Sequence, residues 1–362
     1  MICPYSPACS GCTEWPIPYE EQLQRKMQHL LEGLMPMAFE YLPEIKVHSV
    51  GPNRLRDRLD FTIEDRRIGL YSHQTRKILD LPECYLLSPE LENFYQNFRQ
   101  IIWPVSKGSF RLRIGPQNEK GAWLDFSNLD VKSLLAEKKT LRKLQELAFV
   151  EIGQRRKSLV AQNDQLSLGT PILKNWSRSS YLGAPISLYS TVGSFSQSGH
   201  ASNELITSRV AHLSREFNFQ RGLEYGAGNG NLTFPVLSED NHMTVIETDT
   251  LALKGLQKAA EKLELMKRIT FHNTREDLSL STYDFILANP PRSGASEFFM
   301  KLEPVIKINR PQYILYMSCF PKSFFLDAQI LKQLSYRLQN LEIIDQFPQS
   351  QHYEIISAWA QS

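Results

Sequence analysis

A glycine-rich loop constrains the fold of this chain more than any other stretch. Residues 223–231 read Leu-Glu-Tyr-Gly-Ala-Gly-Asn-Gly-Asn. The glycines at alternate positions, Gly226, Gly228 and Gly230, let a strand turn sharply and let the backbone approach a ligand closely. About twenty residues later a second strand ends at Glu247, whose carboxylate can accept hydrogen bonds from a ribose. The loop predicts either a nucleotide-binding turn or an ordinary glycine turn in an α/β sheet.

The spacing of the glycines favours one kind of nucleotide site. G-x-G-x-G differs from the dinucleotide pattern G-x-G-x-x-G and fits the S-adenosylmethionine (SAM) loop of Rossmann-like methyltransferases better. From residue 193 onward strands and helices alternate, which predicts a mostly parallel α/β sheet with ligands at the carboxyl ends of its strands. The expected helices are 201–216, 250–264, 296–307 and 323–335, and the expected strands are 222–225, 243–247, 269–272, 283–288, 312–317, 341–346 and 353–359.

Length and composition indicate a two-domain globular protein. The 362 residues, of which 42% are hydrophobic and 22% charged, suffice for two domains. No apolar run approaches the roughly 20 residues of a membrane span, so we expect a cytoplasmic protein without a secretion leader or membrane partner. The net charge is only +2, and its positive excess lies in the N-terminal half, which suits an RNA partner. The Ser-, Gly- and Pro-rich stretch 161–190 predicts a linker between domains at 1–190 and 191–362.

Four of the five cysteines form a pattern. Cys3, Cys9 and Cys12 are spaced C-x5-C-x2-C, and Cys84 follows in Leu-Pro-Glu-Cys, whereas Cys319 is far away. A disulfide scaffold is not expected in a chain of this length without a secretion signal. Four thiols suit a tetrathiolate site for either zinc or an iron–sulfur cluster. The spacing differs from C-x3-C-x2-C, which argues against radical SAM chemistry.

The N-terminal half is predicted to be mixed α/β structure. Helical spacing of Leu and Met predicts a helix over Tyr19–Leu34, which could pack on the C-terminal domain. Alternation places Arg54, Arg56 and Arg58 on one face of a strand, where they are either solvated or contact RNA phosphates. Further predicted elements are a hairpin across 64–66, helices at 86–102 and 133–147, and strands at 110–114 and 123–126.

Three chemically distinctive segments follow predicted strands of the C-terminal half. They are Asn289-Pro290-Pro291-Arg292, Cys319, and the segment 348–354 that ends at Glu354. Singly, each is typical of ordinary structure: a turn, a small buried side chain and a solvated carboxylate. Their order behind the glycine-rich loop favours an active site that combines a thiol, a carboxylate and a rigid loop at one edge of the sheet.

These segments together resemble those of a known family. The pieces CPYSPACSGC, NRLRDRLDF, LPEC, GSFSQSG, EYGAGNGN, VIE, ANPPRSG, YMSC and FPQSQHYE span nearly the whole chain. In that order they resemble the RNA uracil-5 (5-methyluridine) methyltransferases, and most closely the bacterial iron–sulfur branch that acts on 23S ribosomal RNA. Because the chain begins at the cysteines, we expect the N-terminal β-barrel RNA-binding domain of many relatives to be absent.

The resemblance implies a role for each matching residue. Cys319 matches the nucleophile and Glu354 the general base. Gln197, Glu247 and Asn289 match SAM-contacting or active-site positions, Gly226 and Asn231 the SAM cradle, and Cys3, Cys9, Cys12 and Cys84 the ligands of a [4Fe–4S] cluster. The chain departs from the common family pattern at Phe320, Gln349, Asn289 and Glu224. The implied reaction is SAM-dependent methylation of uracil carbon 5 through a covalent cysteine adduct, by a monomer acting on 23S rRNA.

Three alternatives remain open from the sequence. The RNA could be a transfer RNA. The Asn-Pro-Pro-Arg segment also resembles the Asn-Pro-Pro-Tyr/Phe motif of nucleic-acid N-methyltransferases, although Arg292 cannot stack on a flipped base as an aromatic ring does. The chain could also be an RNA-binding or assembly protein that keeps the fold without activity.

Overall fold

A computed structural model of the protein describes residues 3–154, 157–162, 165–168, 171–273, 282–302 and 311–361. One of its sheets contains eight strands, seven of them from the C-terminal half, and β18 (Glu354–Gln361) runs antiparallel to both of its neighbours. In spatial order the strands are β1 (Ile45–Ser49), β17 (Tyr336–Asp345), β18 (Glu354–Gln361), β16 (Tyr313–Ser318), β15 (Phe285–Ala288), β12 (Arg221–Tyr225), β13 (His242–Ile246) and β14 (Ile269–His272). The chain order reverses between β12 and β15, and α/β folds bind ligands at such a point.

Helices cover both faces of this sheet. They are α1 (Tyr19–Leu34), α5 (His200–Arg215), α6 (Thr233–Val236), α7 (Thr250–Lys262), α8 (Ser296–Met300) and α9 (Pro321–Gln333). Alternate residues of β16 enter opposite cores: Leu315 and Met317 pack with α5 and α7, whereas Ile314 and Tyr316 pack with α1, α8 and α9. A strand buried on both faces must be apolar throughout, which explains its uninterrupted hydrophobic sequence. The predicted Rossmann-like α/β fold is thereby confirmed.

A second eight-stranded sheet forms the N-terminal and central region. Its spatial order is β4 (Ile78–Asp80), β3 (Arg67–Tyr71), β2 (Arg58–Glu64), β5 (Lys107–Ile114), β6 (Lys120–Asp125), β7 (Phe149–Gln154), β8 (Lys157–Gln162) and β9 (Gln165–Leu168). The predicted hairpin is present, because Asp65 and Arg66 adopt the left-handed conformation that a tight turn needs. An apolar core joins this sheet to α2 (Pro89–Arg99), α3 (Asn128–Ala136) and α4 (Lys138–Leu147).

Three local predictions are wrong. The expected single helix 133–147 is split between α3 and α4, because Glu137 leaves the helical conformation (φ −88°, ψ 65°). The three arginines do not share a strand face: Arg54 is left-handed, Arg56 forms an isolated bridge and only Arg58 begins β2. The expected linker 161–190 contains a hairpin of β10 (Lys174–Tyr181) and β11 (Ala184–Ser190), which packs on α5 and α7.

Two elements from the N-terminal part of the chain, β1 and α1, belong to the C-terminal sheet and its helical layer. Strand β1 pairs in parallel with β17, and α1 contacts α9 and β17, so residues near the N-terminus complete the C-terminal sheet. The division at residue 190 stays a prediction. The last part of the expected helix 296–307 lies outside the described residues.

Candidate active site

A cavity of about 560 Å³ lies at the carboxyl ends of β12, β13, β15 and β16. Because β18 runs antiparallel, its first residue reaches the same edge of the sheet. All seven residues predicted as catalytic or cofactor-binding line this cavity: Gln197, Gly226, Asn231, Glu247, Asn289, Cys319 and Glu354. The tertiary structure thus brings together side chains from segments that are up to 157 residues apart in sequence (354 − 197).

The glycine-rich loop leaves room for a ligand. Gly226 and Gly228 both have left-handed φ angles, 83° and 57°. A Cβ on Gly226 would lie 2.5 Å from the Asn289 carbonyl oxygen, so only glycine fits there. A Cβ on Gly228 would meet no atom within 4 Å and would project into open space. The loop therefore presents its backbone to the cavity, as close approach of a nucleotide requires.

Glu247 organises the same loop. Its carboxylate accepts hydrogen bonds from the backbone N–H of Gly228 at 2.8 Å and of Asp249 at 2.7 Å. Asp249 in turn caps α7 by accepting from the backbone N–H of Leu251. A carboxylate has further lone pairs, so Glu247 can still accept from two vicinal hydroxyls of a ribose.

Two asparagines of the loop have different surroundings. The side-chain amides of Asn231 and Asn203 donate to each other at 2.7 and 3.0 Å, which ties the loop to α5. The Asn231 amide is thus engaged within the protein. The buried Nδ2 of Asn229, in contrast, has no hydrogen-bond partner among the described residues, although Asn229 lines the cavity. An unpaired buried donor at the cavity wall fits a polar ligand such as SAM, and the motif reading had not singled out this residue.

Cys319 lies half-buried at the end of β16, beside two charged groups. Burial raises the pKa of its thiol, and the nearby carboxyl group of Glu354 raises it further. Arg292 opposes both effects, because a nearby cation favours the thiolate. The motif in the sequence indicates Arg292 only as the fourth residue of a loop and gives it no role at Cys319. The sequence does contain one signal for Arg292. It is a cation that follows a predicted strand end closely, which places it at the same edge of the sheet as Cys319.

Glu354 is a buried carboxyl group with one free oxygen. It is 3% exposed, and its Oε1 accepts a hydrogen bond from the Gln346 side-chain amide. Its Oε2 has no partner in the part of the chain that the structure describes. Burial raises the pKa of Glu354 to about 7, whereas the Gln346 hydrogen bond and the Arg292 charge act in the opposite direction. A carboxyl group with a pKa near neutrality can accept a proton as a general base.

An aromatic and cationic wall forms the side of the cavity nearer the second sheet. Phe195 is 72% exposed there, and the Arg58 guanidinium carbon lies 5.2 Å from its ring centroid. Burial lowers the pKa of Arg58 to about 10, and its Nη1 has no hydrogen-bond partner within the described ranges. Gln197 lines the cavity beside this pair. An exposed ring and a guanidinium with an unpaired Nη1 suit a planar base that carries a phosphate.

The four N-terminal thiols approach one another at a separate place. Cys3, Cys9 and Cys12 are buried, and their mutual electrostatic influence extends to Cys84. Burial raises the pKa of Cys12 to about 12 and that of Cys84 to about 11. The backbone N–H of Gly11 donates to the Cys9 sulfur at 3.4 Å, as is common around iron–sulfur ligands. Among the described residues, however, no group of three or more His, Cys, Asp or Glu side chains is arranged to hold a metal ion. The predicted metal site is therefore not confirmed.

Comparison with known proteins identifies the family of this chain. Residues 186–305 match the methyltransferase small domain. An uncharacterised RNA methyltransferase of Bdellovibrio bacteriovorus is 41% identical over 98% of this chain and 94% of its own length. The chain belongs to this RNA methyltransferase family. The family that the motifs predicted is thereby confirmed, and so is the assignment as an enzyme.

More distant relatives have more specific names. A 23S rRNA (uracil(1939)-C(5))-methyltransferase RlmD of Vibrio campbellii is 23% identical to this RNA methyltransferase, over all of this chain and 82% of its own length. The solved Pyrococcus abyssi tRNA (uracil-54, C5)-methyltransferase in complex with S-adenosyl-L-homocysteine superimposes with a TM-score of 0.69 at 18% identity. That match covers 98% of this chain and 87% of the Pyrococcus chain and shows that the fold is shared.

In the described part of this RNA methyltransferase, no helix has the length and apolarity of a membrane span.

Proposed function

We propose that this RNA methyltransferase transfers the methyl group of SAM to carbon 5 of a uracil in RNA. The observation that carries the proposal is the meeting of Cys319 and the buried Glu354 in one cavity with the glycine-rich loop. The names of the RlmD relatives point to the same reaction. A nucleic-acid N-methyltransferase would need neither the thiol nor the buried carboxylate at this position.

The chemistry requires a nucleophile and a base. Carbon 5 of uracil is too weak a nucleophile to be methylated unaided. The Cys319 thiolate adds to carbon 6, and the electron pair that this addition displaces makes carbon 5 nucleophilic. SAM, when bound, supplies the methyl group as an electrophilic sulfonium. Glu354 then removes the carbon-5 proton, the ring double bond re-forms and the Cys319 thiolate leaves carbon 6.

Residues around the cavity divide into two binding groups. Gly226, Gly228, Asn229, Asn231 and Glu247 form the SAM cradle, in which Glu247 accepts from the ribose hydroxyls. The other group contacts the target nucleotide: Gln197 and Asn289 at the base edge, Phe195 at a ring face and Arg58 at a phosphate. A uracil must leave its stack to enter such a cavity, so the substrate is a loop or an extruded base.

The RNA that fits the family best is 23S ribosomal RNA, because the RlmD relatives match the chain over almost its whole length. A transfer RNA is the second candidate, since the solved Pyrococcus enzyme acts on one. We assign the SAM chemistry and the pocket for the target base to residues 191–362, and further RNA contacts, such as that of Arg58, and the thiol site to residues 1–190. The enzyme acts as a monomer.

We also propose that Cys3, Cys9, Cys12 and Cys84 hold a [4Fe–4S] cluster. The chemistry of the donors supports this proposal, because four thiols from two segments influence one another's ionisation and the backbone N–H of Gly11 donates to the Cys9 sulfur. The cluster would tie the N-terminal loop to the segment around Cys84 and takes no part in methyl transfer. Iron and sulfide analysis of anaerobically purified wild type and Cys12→Ser, with Cys319→Ser as the matched control, tests this. Wild type without iron would refute the cluster.

The reaction is tested with labelled SAM and RNA that lacks the modification. Wild type should produce 5-methyluridine at a single site, and mapping that site distinguishes ribosomal from transfer RNA. Cys319→Ala should form no protein–RNA adduct, whereas Glu354→Gln should accumulate one, because its proton-removal step is blocked. Label on an exocyclic nitrogen, or full activity of Cys319→Ala, would show that the uracil-5 assignment is wrong. Wild type that binds RNA but transfers no methyl group would favour an inactive assembly protein.

A further inference from the structure

The loop that carries the general base is held by a helix from the other end of the chain. Residues 346–353 connect β17 to β18, and Gln346 at the start of this loop donates to Glu354 at its end. No helix or strand lies within the loop, so its conformation depends on the contacts that its polar groups make. The most extensive of these contacts come from α1.

Lys26 of α1 fixes the start of the loop. Its ammonium group donates to Asp345 at 2.7 Å and to the Phe347 carbonyl at 3.1 Å, on either side of Gln346. Lys26 and Asp345 are 3% and 0% exposed. The Tyr19 hydroxyl donates to the second oxygen of Asp345 at 2.6 Å. The residue that hydrogen-bonds the base is thus flanked on both sides by groups bound to one buried cation.

Gln22, one turn before Lys26, fixes the middle of the loop. Its amide donates to the Gln349 side-chain oxygen at 2.9 Å and accepts from the Gln349 backbone N–H at 3.0 Å. Gln349 has a left-handed φ of 63°, a conformation that a non-glycine residue keeps only when its surroundings hold it. The Gln349 carbonyl accepts from the backbone N–H of Glu14, which lies two residues after Cys12.

We propose that Gln22 and Lys26 are positioning residues for the general base. Neither lines the cavity, so neither touches the substrate. They hold residues 345–349 so that Gln346 presents the Glu354 carboxylate to carbon 5 of the adduct. This inference rests on the proposed uracil-5 reaction. It predicts a defect confined to proton removal, because Gln22 and Lys26 form hydrogen bonds with residues 345, 347 and 349 and not with Cys319 or the glycine-rich loop.

The test separates the two halves of the reaction. Gln22→Met and Lys26→Met are compared with Gln28→Met, an exposed position on the same helix. Adduct formation is measured on RNA that contains 5-fluorouridine, where the base has no proton to remove, and turnover is measured on ordinary RNA. For Gln22→Met we expect unchanged adduct formation and unchanged SAM binding. We expect turnover to fall on the order of 10- to 100-fold, with adduct accumulating on ordinary RNA.

Each other outcome counts against the inference. If adduct formation and turnover fall together in both variants, or if neither variant folds, the two residues serve the stability of the fold only. If turnover is unchanged in both, α1 does not position the base. These results leave the proposed reaction intact as long as wild type forms the adduct. Wild type that forms no adduct on 5-fluorouridine RNA overturns the proposed reaction, and this inference with it.

Discussion

Arg292 and Cys319 line the same cavity, and the positive charge of Arg292 lowers the pKa of the Cys319 thiol. Burial and the carboxyl group of Glu354 both raise the pKa of the Cys319 thiol, and Arg292 is the side chain that opposes them. The same cation favours the ionised form of Glu354. One arginine therefore stabilises the reactive form of both the nucleophile and the base.

Replacing Arg292 with methionine should move adduct formation to higher pH. Without the guanidinium the thiolate loses a stabilising positive charge, so a smaller fraction of Cys319 is ionised at neutral pH. Single-turnover adduct formation on 5-fluorouridine RNA, measured from pH 6 to 9, checks this. Arg215→Met, at the exposed far end of α5, is the control. An unshifted pH profile in Arg292→Met would show that Arg292 does not activate the thiol.

The pKa of Glu354 predicts which intermediate accumulates in acid. Burial raises that pKa to about 7, so the base becomes protonated as the pH falls below 7 and can no longer accept the carbon-5 proton. We expect protein–RNA adduct to accumulate on ordinary RNA at pH 6 and to resolve at pH 8, as judged by rapid quenching. RNA containing 5-fluorouridine should retain the adduct at both pH values. Equal resolution at pH 6 and pH 8 would contradict the assignment of Glu354 as the base.

Gly228→Ala should block SAM binding with little effect on the fold. Its added Cβ meets no protein atom and would occupy the space that a ligand needs. The left-handed φ costs about 1–2 kcal/mol for a non-glycine residue. Gly183→Ala is a matched control, because Gly183 also has a left-handed φ and open surroundings but lies in the β10–β11 turn, away from the cavity. Calorimetric titration of SAM should show loss of binding in Gly228→Ala alone. Equal loss in both variants would mean that backbone strain is responsible.

Because of Glu224, the free energy of unfolding should decrease as the pH rises from mildly acidic to mildly basic values. Burial raises its pKa to about 8, although a hydrogen bond from Thr233 acts against this. Its stabilising contribution is complete below the unfolded pKa of 4.5 and is lost as the pH rises through about 8. Glu224→Gln should therefore raise the free energy of unfolding at pH 8 relative to wild type by a few kcal/mol, since each pKa unit is worth about 1.4 kcal/mol. Urea unfolding at pH 5 and pH 8 measures this difference. The same difference at both pH values would refute the buried, protonated state.

Much of the site could be predicted from the sequence because its chemistry lies in short local motifs. A glycine loop, an acidic strand end, a strand-end cysteine and a glutamate that begins a strand each depend on neighbouring residues only. Their meeting in one cavity followed from a general property of parallel sheets, whose strands end at the same edge. The sequence by itself thus determined the Rossmann-like fold class, the family and seven of the residues that line the cavity.

The tertiary structure decided which groups surround those residues. Arg292 and Phe195 lie in recognisable motifs, but their neighbours Cys319 and Arg58 come from segments far apart in the chain, and no local periodicity indicates such contacts. The stretch 161–190 is predicted as a linker because Ser, Gly and Pro are common in loops, whereas its serines lie largely in the strands of a packed hairpin that buries Trp176 and Leu188. The prediction of helix α1 is confirmed. Its contact with the loop that precedes Glu354, however, depends on a buried ion pair between Lys26 and Asp345, which are 319 positions apart. A sequence specifies local conformation through neighbouring residues, whereas burial and charge pairing are properties of the folded chain.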